Sequence, residues 1–141
     1  MVATRRCHRQ RGVAAVEFAL VLPLLVLLAF GIIESSLALY DKAIITNASR
    51  EGARNGIVFS TPPVTDAAII NVVNDYCQDK MVTLGLPGAV TTTITREGLG
   101  ESGDDLTVRV EYQYNFLVLP GFVAGLIGGI NLHSETVMRM E

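Results

Sequence analysis

Few residues in this 141-residue chain have types that could do chemistry, and their spacing limits what that chemistry could be. There are two cysteines, Cys7 and Cys77, with no CxxC pair, and two isolated histidines, His8 and His133, which together make no zinc site. No GxSxG, P-loop or dinucleotide fingerprint occurs, and Asp104 and Asp105 fall in a Gly-rich stretch where acids serve as turn formers. The expectation is therefore no catalytic centre, no metal, no cofactor and no small-molecule substrate. The group that stands out is Glu17, the only ionisable residue in the run VAAVEFALVLPLLVLLAFGII at 13–33. A carboxylate inside a membrane helix costs about 2.5–3.5 kcal/mol on insertion scales, so it marks function by default. Gly12 lies five residues before it, and Arg5, Arg6, Arg9 and Arg11 precede that glycine with no acid among them.

The element that must carry Glu17 is a helix. At a rise of 1.5 Å per residue the apolar run reaches roughly 30 Å, enough to cross a hydrocarbon core. The arginines before it hold the N-terminus in the cytoplasm by the positive-inside rule, which places everything after Glu34 beyond the membrane. Without those arginines the chain has seven bases against fourteen acids. A basic head on an acidic body argues against nucleic-acid binding. Cys7 and Cys77 fall on opposite sides of the membrane in this topology, so Cys77 reads as a buried small hydrophobe, with an intermolecular disulfide as the alternative. A cleaved secretory signal would have a shorter apolar core free of acids. A plain signal anchor fits the length but leaves Glu17 unexplained.

Gly12-Val13-Ala14-Ala15-Val16-Glu17-Phe18 resembles the type IV prepilin processing signal. The resemblance implies a cut between Gly12 and Val13 by prepilin peptidase, with Glu17 fifth in the mature chain. It also implies pairing of Glu17 with the new amine, often that of a neighbouring subunit. A paired amine and carboxylate cost much less in a bilayer than either alone. RGVAAVEFALVLPLL, then Gly31-Ile32-Ile33-Glu34, then Asn47-Ala48-Ser49-Arg50-Glu51-Gly52-Ala53-Arg54, is similar to the TadE-like family of pseudopilins, and residues 106–141 are similar as well. Val13 departs from the phenylalanine that many type IVa pilins carry first. Such proteins are minor pseudopilins of the tight-adherence (Flp) pilus apparatus, which serves surface attachment and biofilm formation. The partners implied are prepilin peptidase, the other pilins and pseudopilins of that apparatus, and the inner membrane.

Past Ile33 the helical pattern continues through Leu37, Tyr40, Ala43 or Ile44, Ala48 and Ala53, which predicts one helix from residue 13 to about residue 58 with Pro23 inside it. Arg50, Glu51 and Arg54 form its dense polar cluster. They read equally as a solvated face, with Glu51 near Asn47 and Asn55, or as a docking edge. Ser60-Thr61-Pro62-Pro63 is a turn, and Thr65 caps a second helix that lines Ile69, Ile70, Val73, Cys77 and Met81 on one face and runs to about Leu84, with Gly85 ending it. Alternation at Val90, Thr92 and Ile94, and from Leu106 through Tyr114 and Phe116, predicts two strands joined by a polar hairpin loop. A last strand is expected from about Leu132 to Met140. The uncharged stretch FLVLPGFVAGLIGGI at 116–130 is too short and broken for a second span; it reads either as a loop folded onto the sheet or as an apolar tip meeting a partner or the membrane.

The expected fold class is α+β: a long membrane-spanning pilin-like helix, a second helix and a small antiparallel sheet. The expected organisation is a basic leader 1–12, a transmembrane segment 13–34, a helical extension 35–60 and an extracytoplasmic domain 61–141. Two function classes stay open: a pseudopilin that loses its leader, or a membrane-anchored extracytoplasmic binding or adhesin module that keeps it.

Overall fold

Apolar and small residues recur without a break from residue 13 past residue 53, and the chain there is one helix. The computed structural model describes residues 7–58, 60, 62–82, 88–98, 102–116 and 129–140, with side chains described from Gly12 onward. Helix α1, Cys7–Gly56, holds 50 residues and carries Pro23 inside it, a length of about 75 Å. Its two halves differ in burial. From Gly12 to Ile33 no residue is buried, although the most apolar window there has a mean hydropathy of 2.7. From Glu34 on, Ala38, Asp41, Ile45, Ala48, Gly52 and Gly56 are buried at steps of three and four, the stripe of a helix packed on one side.

Helix α2, Asp66–Lys80, is capped by Thr65, whose backbone is extended and whose hydroxyl accepts the Ala68 N–H at 3.3 Å. It ends four residues before the expected Leu84. Met81 turns to an extended backbone, and the next N–H, that of Val82, donates to Asp41 Oδ1 on α1 at 3.3 Å. A tertiary hydrogen bond thus redirects the chain where the local pattern still allowed helix. Gly85 lies outside the described residues.

The sheet has the order β1-β2-β3, all antiparallel: β1 Val90–Arg96, β2 Asp105–Tyr114 and β3 Ile130–Arg139. Arg96 pairs with Leu106, and Tyr114 with Ile130. The turn after β1 is closed by Glu97 N–H to Asp105 O at 2.9 Å. Strand β3 starts two residues before the expected Leu132, because Gln113 and Tyr114 continue the ladder to Asn131 and Ile130. Phe116 lies just past β2 and meets Tyr114 edge-on, with ring centres 5.5 Å apart. The inward residues of β2, Leu106, Val108, Val110, Tyr112 and Tyr114, are all buried and form the core with Ile69, Val73 and Cys77 of α2 and the stripe of α1. The expected α+β architecture is therefore present, with both helices against the sheet. Of the uncharged stretch, residues 117–128 lie outside the described residues.

Candidate functional site

The processing residues occupy one stretch of α1. Gly12, Val13, Glu17 and Phe18 are all exposed, Phe18 at 64 %. A Cβ placed on Gly12 would meet nothing within 4 Å. The helix starts at Cys7, so the Gly12–Val13 bond lies inside α1 rather than in an extended leader. Val13 and Glu17 stand one turn apart on the same face, the spacing at which helical side chains meet.

The polar string 47–54 divides cleanly by face. Asn47, Arg50, Glu51 and Arg54 are exposed, whereas Ala48, Ser49, Gly52 and Ala53 are buried. The ion pairs between described residues are Arg96–Asp66 and Arg109–Glu111, so Arg50, Glu51 and Arg54 form an unpaired outward edge. Inward, smallness has a steric cause. A Cβ on Gly52 would come within 2.6 Å of Val73 Cγ2, and one on Gly56 would strike Leu106 Cδ2 and come within 2.7 Å of Ile69 Cδ1. Ser49 Oγ donates to Thr46 O at 2.9 Å. Its single proton being used there, it accepts from the hydroxyls of Ser134 at 3.1 Å and Thr136 at 2.8 Å, which fastens α1 to β3.

Sequence reasoning missed two carboxylates. Glu34 and Asp41 are 1 % and 0 % exposed, two helical turns apart on the inward stripe. Burial raises the Asp41 pKa, against the opposing bond from Val82 N–H. Burial, then the Asp41 charge, pushes the Cys77 thiol up to about 11. Burial, then Glu34, Asp41 and Tyr112, raises the Tyr114 phenol. The available signal was the seven-residue spacing of Glu34 and Asp41, in step with Ala38, Ile45 and Ala48. Cys77 is free and buried. Among the described residues no three His, Cys, Asp or Glu side chains gather where they could hold a metal.

Residues 12–54 thus combine an unburied apolar span, with one acid near its start, and a stripe of small buried residues. Residues 12–54 match the family model of TadE-like proteins. The TadE-like segment lies wholly within α1 and takes in Gly12, Glu17, both buried carboxylates and the string 47–54. The likeness noted for residues 106–141 lies outside it. No curated protein and no solved structure matches the chain. The TadE-like match points to the tight-adherence pilus system, and α1 is long and apolar enough to cross a membrane.

Proposed function

We propose that this chain is a minor pseudopilin of the tight-adherence pilus apparatus, cut by prepilin peptidase between Gly12 and Val13. It sits in the inner membrane as a single span with its domain on the far side, and supports surface attachment and biofilm formation. The observation that carries the reading is the TadE-like match over a helix whose first half is apolar yet unburied. A helix apolar all round that buries nothing in its own fold needs a bilayer or other subunits for its surroundings. Arg50, Glu51 and Arg54 then offer a charged edge for neighbouring pilins, on the side of α1 that the domain leaves open. Cleavage requires local unwinding of α1 around Gly12. Glycine is cheaper to unwind than any residue but proline, being about 1 kcal/mol poorer than alanine in a helix.

The test is the mass of the mature N-terminus. Wild type should lose residues 1–12 when prepilin peptidase is present, and Gly12→Leu should keep them. A wild-type chain that keeps residues 1–12 in the presence of prepilin peptidase would remove the cleavage assignment and leave the anchored-module reading.

A further inference from the structure

α2 and β2 both run back along α1 toward its apolar span. Ile69 and Leu106 lie against Gly56, and Val73 and Val108 against Gly52. Further along each element, Cys77 and Tyr114 both feel the charge of Asp41. The ends of α2 and β2 therefore reach the level of residues 34–41. Val82 is tied there by its N–H bond to Asp41, and β3 begins there because Ile130 pairs with Tyr114. This end is the foot of the domain.

The outside of the foot is largely apolar on its α1 side, while α2 exposes Gln78, Asp79 and Lys80 there. Between the span and Lys42 the charged residues of α1 are Glu34 and Asp41, and both point inward. What α1 leaves outside is Ile32, Ile33, Leu39 and Tyr40, with Ser35 and Ser36 whose hydroxyls donate to the helix's own Gly31 and Ile32 carbonyls, joined by exposed Val82 and Ile130 from the other elements. A groove of about 390 Å³ lined by Ile32, Ile33, Ser36, Leu37, Tyr40 and Val82 continues the surface of the span without a break. The chain's two lysines lie close to these residues in sequence: Lys42 follows Asp41, and Lys80 closes α2 two residues before Val82, its ammonium 3.9 Å from the centre of the Tyr76 ring. The chain between Phe116 and Gly129, uncharged in sequence, leaves and re-enters the fold at this same end. From Val13 to Tyr40 the helix covers about 40 Å, which exceeds a hydrocarbon core of about 30 Å by the depth of an interfacial layer. Apolar surface, tyrosine and lysine at the end of a span are the composition of a bilayer interface, where lysine stems lie on apolar surface and their ammonium groups reach phosphates.

We propose that the foot of the domain is a lipid-binding surface. Its apolar ring sits at the headgroup–acyl boundary of the outer leaflet, and Lys42 and Lys80 engage the phosphates of anionic phospholipid. This rests on the reading of residues 13–33 as a membrane span, and the controls separate the two.

The full-length Cys7→Ser chain is reconstituted at low protein density in phosphatidylcholine vesicles with and without phosphatidylglycerol. An environment-sensitive dye is placed on Leu39→Cys, Val82→Cys and Ile130→Cys at the foot, on Leu25→Cys in the span and on Arg54→Cys at the distal end. Buried Cys77 stays unlabelled, its thiol being pushed up to about 11. The foot dyes should emit to the blue of the Arg54 dye and be quenched several-fold more by a lipid quencher held at shallow depth. Lys42→Gln with Lys80→Gln should erase the advantage of anionic over neutral vesicles. A Leu25 dye left unquenched by a second lipid quencher, held deep in the acyl chains, would overturn the span and this surface together. A quenched Leu25 dye with foot dyes that behave like Arg54 would overturn the surface alone. Shielding of the foot that rises with protein density would assign it to a second copy and overturn the lipid proposal.

Discussion

Asp41 is the residue whose environment most clearly opposes its charge. Its carboxyl accepts one N–H, from Val82, while its other oxygen has no hydrogen-bond partner. The groups that feel its charge are Cys77 on α2 and Tyr114 on β2, and Tyr114 in turn feels Glu34 and Tyr112. Because burial raises its pKa, the folded chain holds the proton more tightly than the unfolded chain, which ionises near 3.8. The sign follows from linkage: stability is greatest below the unfolded value and falls as pH rises through the raised folded value, then stays level. Asp41→Asn keeps an acceptor for Val82 N–H and removes the titration. Thermal unfolding in detergent should therefore show a flatter pH profile for Asp41→Asn, with a midpoint at neutral pH no lower than that of wild type. A lower midpoint at neutral pH would show that the ionised carboxylate is itself held by a favourable partner.

At the scale of elements, the fold depends on how closely α2 and β2 approach α1. Ala48, Ser49, Gly52, Ala53 and Gly56 keep that face of α1 low, and Gly52 sits directly under Val73. Gly52→Ala would gain about 1 kcal/mol of helix propensity. Against this, its Cβ would lie 2.6 Å from Val73 Cγ2. Valine is stiff at χ1 and cannot swing away, so overpacking of about 1–3 kcal/mol wins. Chemical denaturation should show Gly52→Ala less stable than wild type, whereas Arg54→Ala on the outward edge should change stability by no more than about 0.5 kcal/mol. A Gly52→Ala protein as stable as wild type would mean that α1 and α2 are not held at this spacing.

For the whole molecule, the question is whether the span is an anchor or an assembly element, and Glu17 separates the two. As a tolerated imperfection its loss should help insertion, since a cost of about 2.5–3.5 kcal/mol disappears. As the partner of the Val13 amine in a neighbouring subunit, its loss leaves a buried charge uncompensated. The proposed function expects the second outcome. Glu17→Leu should still be cleaved and remain in the membrane, yet fail to crosslink to pilin partners and lose surface attachment. Normal crosslinking and attachment by Glu17→Leu would remove Glu17 from assembly and leave it a property of the anchor.

What the sequence determined by itself was periodic or local. The three- and four-residue steps of α1, the Thr65 cap, and the alternation Leu106-Val108-Val110-Tyr112-Tyr114 are each written in neighbouring residues, so helix, helix and strands could be read directly. The apolar run with Glu17 after Gly12 likewise needs no folding to be recognised. The tertiary structure decided where those elements end and what their polar residues meet. α2 stops at Lys80 because Val82 is pulled to Asp41, and β3 begins at Ile130 because Tyr114 still offers a ladder partner. It decided which half of the string 47–54 is core, since Gly52 and Ser49 acquire meaning only beneath Val73 and beside Ser134 and Thr136. It also turned Glu34 and Asp41 inward, away from the membrane face of α1. Their surroundings include Cys77 of α2 and Tyr114 of β2, residues more than thirty positions away in sequence, and no local pattern encodes contacts across that distance.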